Sequence, residues 1–161
     1  MFFDLASTSW DDDEVNAIQS VIESDRYTMG PKVAEFEKIF ASYFSKKYGV
    51  MVNSGSSANL LSVASLFYKK TRPLQRGDEV IVPAIAWATT YHPLHQYGLK
   101  MRIVDVDLNT LNVDVSQLED ALTPNTRMIV GVSILGNPAA LDVLQDFADK
   151  HDLYFLEDNC E

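Results

Sequence analysis

Asn53-Ser54-Gly55-Ser56-Ser57-Ala58-Asn59-Leu60-Leu61, NSGSSANLL, joins an apolar run, Tyr48 to Val52, to a helix-like run that ends near Tyr68. Small, hydroxyl-bearing residues crowd this junction. A strand over Tyr48–Val52 and a helix from about Ser56 make it a strand-to-helix turn of the kind that repeats in α/β proteins. Similar apolar runs recur at Glu79–Val82, Met101–Val104, Met128–Val132 and Leu153–Leu156. Helical spacing fills the intervals at about Ser56–Tyr68, Ala88–Gln96, Val115–Leu122 and Ala139–His151. This alternation predicts a layered α/β fold with a largely parallel sheet. Upstream, Ser9 is placed to cap a helix over about Asp11–Ser24, with Val15, Ile18, Val21 and Ile22 on one face. After a break at Tyr27–Pro31, a second helix carries Val33, Phe36, Ile39, Phe40, Tyr43 and Phe44 at helical spacing, a stripe expected to be core.

Composition narrows the function. The 161 residues fit one domain, and 47% hydrophobic with 22% charged residues is ordinary for a globular chain. Thirteen basic against 23 acidic side chains give a net charge of −10, which argues against nucleic acid or anionic lipid as a partner through the global field. Any phosphate must therefore be bound locally. The single cysteine, Cys160, rules out an internal disulfide framework; no N-terminal stretch combines basic residues, a long apolar core and a small-residue cleavage site, and no apolar run reaches membrane-spanning length. A reducing cytoplasm follows as the expected compartment.

Ligands of parallel sheets gather at the carboxyl ends of the strands, where helix N-termini also point. There Gly55 permits close backbone approach, and the amides and hydroxyls of Ser56 and Ser57 converge on an anion such as a phosphate monoester. The plainer alternative is that Ser54 or Ser56 simply caps the helix. Neither of the two commonest glycine-rich phosphate motifs is present. Trp87, in PAIAWATTYHP (Pro83–Pro93), stands at the exit of a strand, suited either to stacking on a planar ligand or to packing in the core. His92 and His95 lack a third group at metal-ligand spacing and read as structural. In LYFLEDNCE (Leu153–Glu161) a hydrophobic strand delivers Glu157 and Asp158 to the same edge. A carboxylate there suits a protonated ring nitrogen, a helix cap or a metal ion. Cys160 reads as a small buried neighbour of the site, with no base nearby to activate it. Phosphate, stacked ring and ring nitrogen together outline a vitamin B6 site.

Several stretches then carry a family resemblance over essentially the whole chain. They are TMGPKVAEFEKIFASYF (Thr28–Phe44), VNSGSSANLL (Val52–Leu61), GDEVIVPA (Gly77–Ala84), VDVDLNTLNVD (Val104–Asp114), LGNP (Leu135–Pro138) and LEDNCE (Leu156–Glu161). They resemble the large domain of the sugar-nucleotide aminotransferase family typified by the DegT and StrS proteins. Within it, LASTSWDD (Leu5–Asp12), WATTYHPLHQYGL (Trp87–Leu99) and EDNCE (Glu157–Glu161) are most similar to the dehydratase branch that serves colitose formation.

The resemblance implies a three-layer, fold-type I large domain, a homodimer, and pyridoxal 5'-phosphate or pyridoxamine 5'-phosphate as cofactor. Gly55, Ser56 and Ser57 would hold the phosphate, Trp87 the ring face and Asp158 the pyridine nitrogen. Thr28, Met29 and Gly30 would contribute to the nucleotide-sugar substrate, although a plain helix-breaking turn explains them equally well. The reaction implied is loss of the C3 hydroxyl from a nucleotide-linked 4-keto-6-deoxy sugar with L-glutamate as amino donor; transamination of such a sugar is the alternative. A non-catalytic α/β binding module, or a receiver-like acidic domain, is the reading from another class. The family's catalytic lysine, or the histidine that replaces it, follows the segment matched by Asp158, and none of the chain's lysines does. The catalytic residue is therefore expected beyond Glu161. Residues 1–161 read as the N-terminal portion of the large domain, without the small C-terminal domain and inactive alone, with sheet edges and apolar surface left bare.

Overall fold

Four of the five runs expected as strands form one parallel sheet: β1 (Glu79–Pro83), β2 (Lys100–Val104), β3 (Thr126–Val132) and β4 (Tyr154–Asp158). Their spatial order is β2-β1-β3-β4. The structure, a computed structural model, describes residues 7–161, so Leu5 and Ala6 of the LASTSWDD stretch lie outside the described residues. Two units separate within the chain, Met1–Met51 and Val52–Glu161.

In the second unit, parallel pairing requires a crossover between successive strands, and helices supply it. After α3 (Gly55–Phe67), the chain runs β1, α4 (Ala88–Gln96), β2, a 3-10 turn (Val115–Gln117) with the short α5 (Leu118–Ala121), β3, α6 (Leu141–Lys150) and β4. Helix α4 ends in a Schellman motif: Gly98 takes a left-handed φ of 74° and donates to His95, while Leu99 donates to Leu94 at 2.9 Å. Strand alternation then sorts side chains into two cores. Val80 and Val82 of β1 and Met128, Val130 and Val132 of β3 pack with Val63 and Leu94 from α3 and α4. Ile81 and Ile129 face the other way, onto Leu118 of α5 and Leu144 and Phe147 of α6. The result is three layers, helix on sheet on helix, the architecture expected from the sequence. A Cβ on Gly131 would lie 2.8 Å from Leu144 Cδ1 and 3.0 Å from Phe155 Cε2, so glycine sets the spacing between α6 and the sheet.

The first unit holds α1 (Asp12–Glu23) and α2 (Pro31–Tyr43). The cap of α1 is Asp11 rather than Ser9: its carboxylate accepts from Asp13 N at 2.8 Å, and Glu14 reaches back to the Asp11 amide at 2.8 Å. A carboxylate with a reciprocal partner three residues on outcompetes a lone hydroxyl two residues earlier. Pro31 opens α2, where its missing N–H costs nothing. The α2 stripe is not core here. Phe36, Ile39, Phe40, Tyr43 and Phe44 are exposed, the first three at 50%, 62% and 49%, and only Ala41 of this helix is buried. Tyr48–Val52 forms no strand: no described residue pairs with it, and an extended run without a ladder partner stays irregular.

Candidate active site

The strand order reverses between β1 and β3. From β1 the chain crosses to β2 on one side and then returns to build β3 and β4 on the other. At such a switch point the crossovers leave on opposite faces and open a crevice at the carboxyl ends. A cavity of about 430 Å³ lies there, within the usual size for a small-molecule site. Four segments contribute to it. The start of α3 gives Ser54, Gly55, Ser56 and Asn59, the β1–α4 junction gives Trp87 and Thr90, and β3 ends in Val132 and Ser133. The segment at the end of β4 gives Asp158, Cys160 and Glu161.

The serine turn caps its helix and leaves two amides open. Ser54 is the N-cap, its Oγ accepting from Ser57 N at 3.2 Å, and Ala58 N closes the first turn on Ser54 O at 3.0 Å. The amides of Gly55 and Ser56 then have no acceptor among the described residues, and both residues line the cavity. Ser57 does not line it. Its amide serves the cap and its hydroxyl lies 3.3 Å from that of Ser54. No lysine, arginine or histidine lines the cavity, so the positive end of the α3 dipole is the attraction it offers a phosphate.

Trp87 is the N-cap residue of α4 and is 73% exposed, a free indole rather than a core one. Behind it, the Tyr91 hydroxyl donates to Pro83 O at 2.8 Å and fixes the start of α4 to the end of β1. Burial pushes the Tyr91 hydroxyl's pKa up, which keeps the donor protonated. His92 and His95 stand exposed on α4 and do not line the cavity.

Asp158 ends β4, half-buried, and its carboxylate is the best-tethered group of the site. Asn59 Nδ2 donates to Oδ2 at 2.8 Å, Thr90 Oγ1 donates to the same oxygen at 2.7 Å, and Cys160 N donates to Oδ1 at 3.4 Å. Cys160 is exposed on the cavity wall rather than buried, because β4 ends before it and leaves it beside Gly55. The loop after β3 is held from below by buried Asn112, whose Oδ1 accepts from Ile134 N at 3.1 Å and whose Nδ2 donates to Asn137 O at 2.9 Å. Leu135, in the left-handed region at φ 53°, donates its amide to Glu161.

The structure thus gathers Gly55, Ser56, Trp87 and Asp158 around one cavity. Thr28 and Gly30 line a different one, of about 280 Å³, within the first unit, where Met29 is 90% exposed. Sequence reasoning missed Asn59 and Thr90. Asn59 carried a signal: asparagine is a poor residue inside a helix unless its amide has work elsewhere. Thr90 carried none.

Residues 8–161 match the model of the DegT/DnrJ/EryC1/StrS aminotransferase family. The chain is 53% identical over 159 residues to GDP-4-keto-6-deoxy-D-mannose 3-dehydratase of Yersinia pseudotuberculosis, covering 99% of this chain and 40% of the relative. Its fold superposes with a TM-score of 0.93 on a crystal structure of GDP-4-keto-6-deoxymannose-3-dehydratase with a trapped PLP-glutamate geminal diamine. That pair is 51% identical over 99% of this chain and 42% of the solved one. The Escherichia coli enzyme with bound hydrated PLP gives 0.92 at 52% identity, over 98% of this chain and 40% of that one. The chain thus spans about two fifths of these relatives' length.

Proposed function

Since the chain belongs to the DegT/DnrJ/EryC1/StrS aminotransferase family, we propose that it forms the cofactor-binding part of a pyridoxal phosphate- or pyridoxamine phosphate-dependent enzyme. The enzyme acts on a nucleotide-linked 4-keto-6-deoxy sugar and removes its C3 hydroxyl, with L-glutamate as amino donor, in cytoplasmic deoxysugar and lipopolysaccharide synthesis. The similarity to dehydratases at above 50% identity supports that choice over transamination, the alternative that the family's name keeps open. No helix of the described residues is long and apolar enough to cross a membrane. Residues 1–161 are assigned to the N-terminal portion of the large domain. The small domain and the lysine or histidine that moves the proton belong to the remaining three fifths, and the whole works as a homodimer.

What supports the reading most is the single cavity shared by a helix N-terminus, an indole and a tethered carboxylate. The residues fit the cofactor. The free amides of Gly55 and Ser56 and the serine hydroxyls take the phosphate, with Ser57 acting one step removed, through the cap. Trp87 covers one face of the ring and excludes water from it. Asp158 accepts the proton-bearing ring nitrogen and keeps it charged. Bound there, the cofactor supplies an electron sink for the carbon next to the reacting amine. Thr28, Met29 and Gly30 are kept as substrate contacts.

Absorbance titration with pyridoxal phosphate tests the reading directly. In a Trp10→Phe background Trp87 is the sole indole, so its quenching reports stacking. Asp158→Asn is expected to weaken binding at least tenfold, the loss of one charge-assisted bond. A folded chain that leaves both spectra unchanged would reduce the site to an α/β binding module. In the complete protein, release of ammonia and a 3-deoxy sugar separates dehydration from transamination.

A further inference from the structure

The two best-buried polar side chains of the site both turn their donors onto Asp158. Asn59 is 7% exposed and Thr90 1%, and each directs its donor at one oxygen of Asp158. The partners come from α3, α4 and β4, 99 and 68 residues apart along the chain. A carboxylate accepts only, so Asn59 must present its NH₂ and Thr90 must spend its single hydrogen here. The two carboxylate oxygens are therefore not equivalent. Oδ2 has two short bonds, whereas Oδ1 has one long contact, 3.4 Å from Cys160 N, and keeps its remaining lone-pair capacity.

We propose that Asn59 and Thr90 are positioning residues, which clamp Oδ2 of Asp158 so that Oδ1 is held at one fixed angle for the ring nitrogen of the cofactor. The inference rests on the cofactor reading above. A lone aspartate on the last residue of a strand turns freely about its terminal torsion, a broad and shallow one. Two donors on one oxygen remove that freedom before the ligand arrives, and the ordering cost of binding falls accordingly. Asn59 also ties the carboxylate to the helix whose first turn faces the phosphate, since it lies one turn after Gly55. The distance between the phosphate end and the nitrogen end of the site is thereby set by a single rigid helix.

The test pairs two ligands with a set of variants of the chain. Pyridoxal phosphate is compared with its carbocyclic analogue, in which C–H replaces the ring nitrogen and nothing remains for Oδ1 to accept. Thr90→Val and Asn59→Leu should each weaken pyridoxal phosphate about tenfold, as for one lost bond to a charged group, and leave the analogue within about twofold. Thr90→Ser, which restores the hydroxyl, should recover the wild-type ratio. Thermal melts establish that each variant folds; should the buried Thr90→Val fail, Asn59→Ala asks for no extra space and carries the comparison. Equal losses for both ligands, or no loss for either, would overturn the proposal and leave the two residues as packing of the fold. If wild type binds both ligands equally, the cofactor is held but Asp158 does not meet its nitrogen, which sinks this inference alone. If wild type binds neither, the cofactor reading itself has failed.

Discussion

The two units carry the same helical signal and opposite burial. In Val52–Glu161 the periodic residues of α6, Leu144, Phe147 and Ala148, vanish against the sheet. In Met1–Met51 the apolar stripe of α2 stays open, its rings Phe36, Phe40 and Phe44 following one another at centroid distances of 5.3 and 4.8 Å. Periodicity thus reports which face of a helix is apolar, and a second apolar surface decides whether that face is buried. Leu144→Ala and Phe40→Ala put this contrast to its hardest test. The first empties a site with no exposed surface and should cost about 2–5 kcal/mol in urea denaturation. The second trims a half-exposed ring and should cost under about 1 kcal/mol. A large loss at Phe40 would mean that something covers the α2 face in solution, and the contrast would dissolve.

Gly131→Ala sharpens the same contrast by adding volume instead of removing it. The new methyl meets Leu144 and Phe155 at or below 3.0 Å, and the overpacking should cost about 1–3 kcal/mol, visible as a lower melting temperature. Gly30 of the first unit has no neighbour nearer than 3.6 Å to an added Cβ, so Gly30→Ala brings no overpacking and should cost less than Gly131→Ala, through the weaker N-cap of α2 alone.

What the sequence made legible follows this division. The strands β1 to β4 were readable because Val, Ile and Leu runs bounded by turn residues mark buried parallel strands, and their carboxyl ends located Trp87 and Asp158 at one edge. Gly55 and Ser56 were readable from the small, hydroxyl-bearing residues that open a helix, although the strand expected before that turn does not form. Tyr48–Val52 misled because its composition is that of a strand while its pairing depends on a partner that composition does not reveal. Asn59 and Thr90 stayed hidden because a bond between residues 99 or 68 positions apart leaves no local pattern. Spacing alone left the serine turn open between a cap and a phosphate site; Trp87 and Asp158 beside it outlined a vitamin B6 site, and the family resemblance agreed with that outline and added the expected substrate class.

Capping separates the units again, with smaller effects. Asp11→Ala and Ser54→Ala each remove an N-cap bond and should each cost about 1 kcal/mol by chemical denaturation. Only Ser54→Ala should also weaken pyridoxal phosphate, because only that cap stands in the cavity wall. A comparable loss of affinity in Asp11→Ala would show that the first unit takes part in binding the cofactor.

The smallest effect lies on the surface of the second unit, where Glu119 accepts from Lys150 at 2.6 Å and lies 3.3 Å from His151. The Lys150 hydrogen bond holds the Glu119 carboxyl below its ordinary range. A carboxyl whose folded pKa is depressed adds stability that is present above its unfolded value and is lost as pH falls through the folded one. Glu119→Gln should therefore narrow the gap to wild type on acidification and leave it widest near neutrality. Solvent screens this exposed pair, so the gap should sit near the limit of detection in thermal melts and shrink further in high salt. A gap that instead widened toward acid would mean that the carboxyl destabilises the fold, and that α5 and α6 are joined by the packing of Leu118 and Phe147 alone.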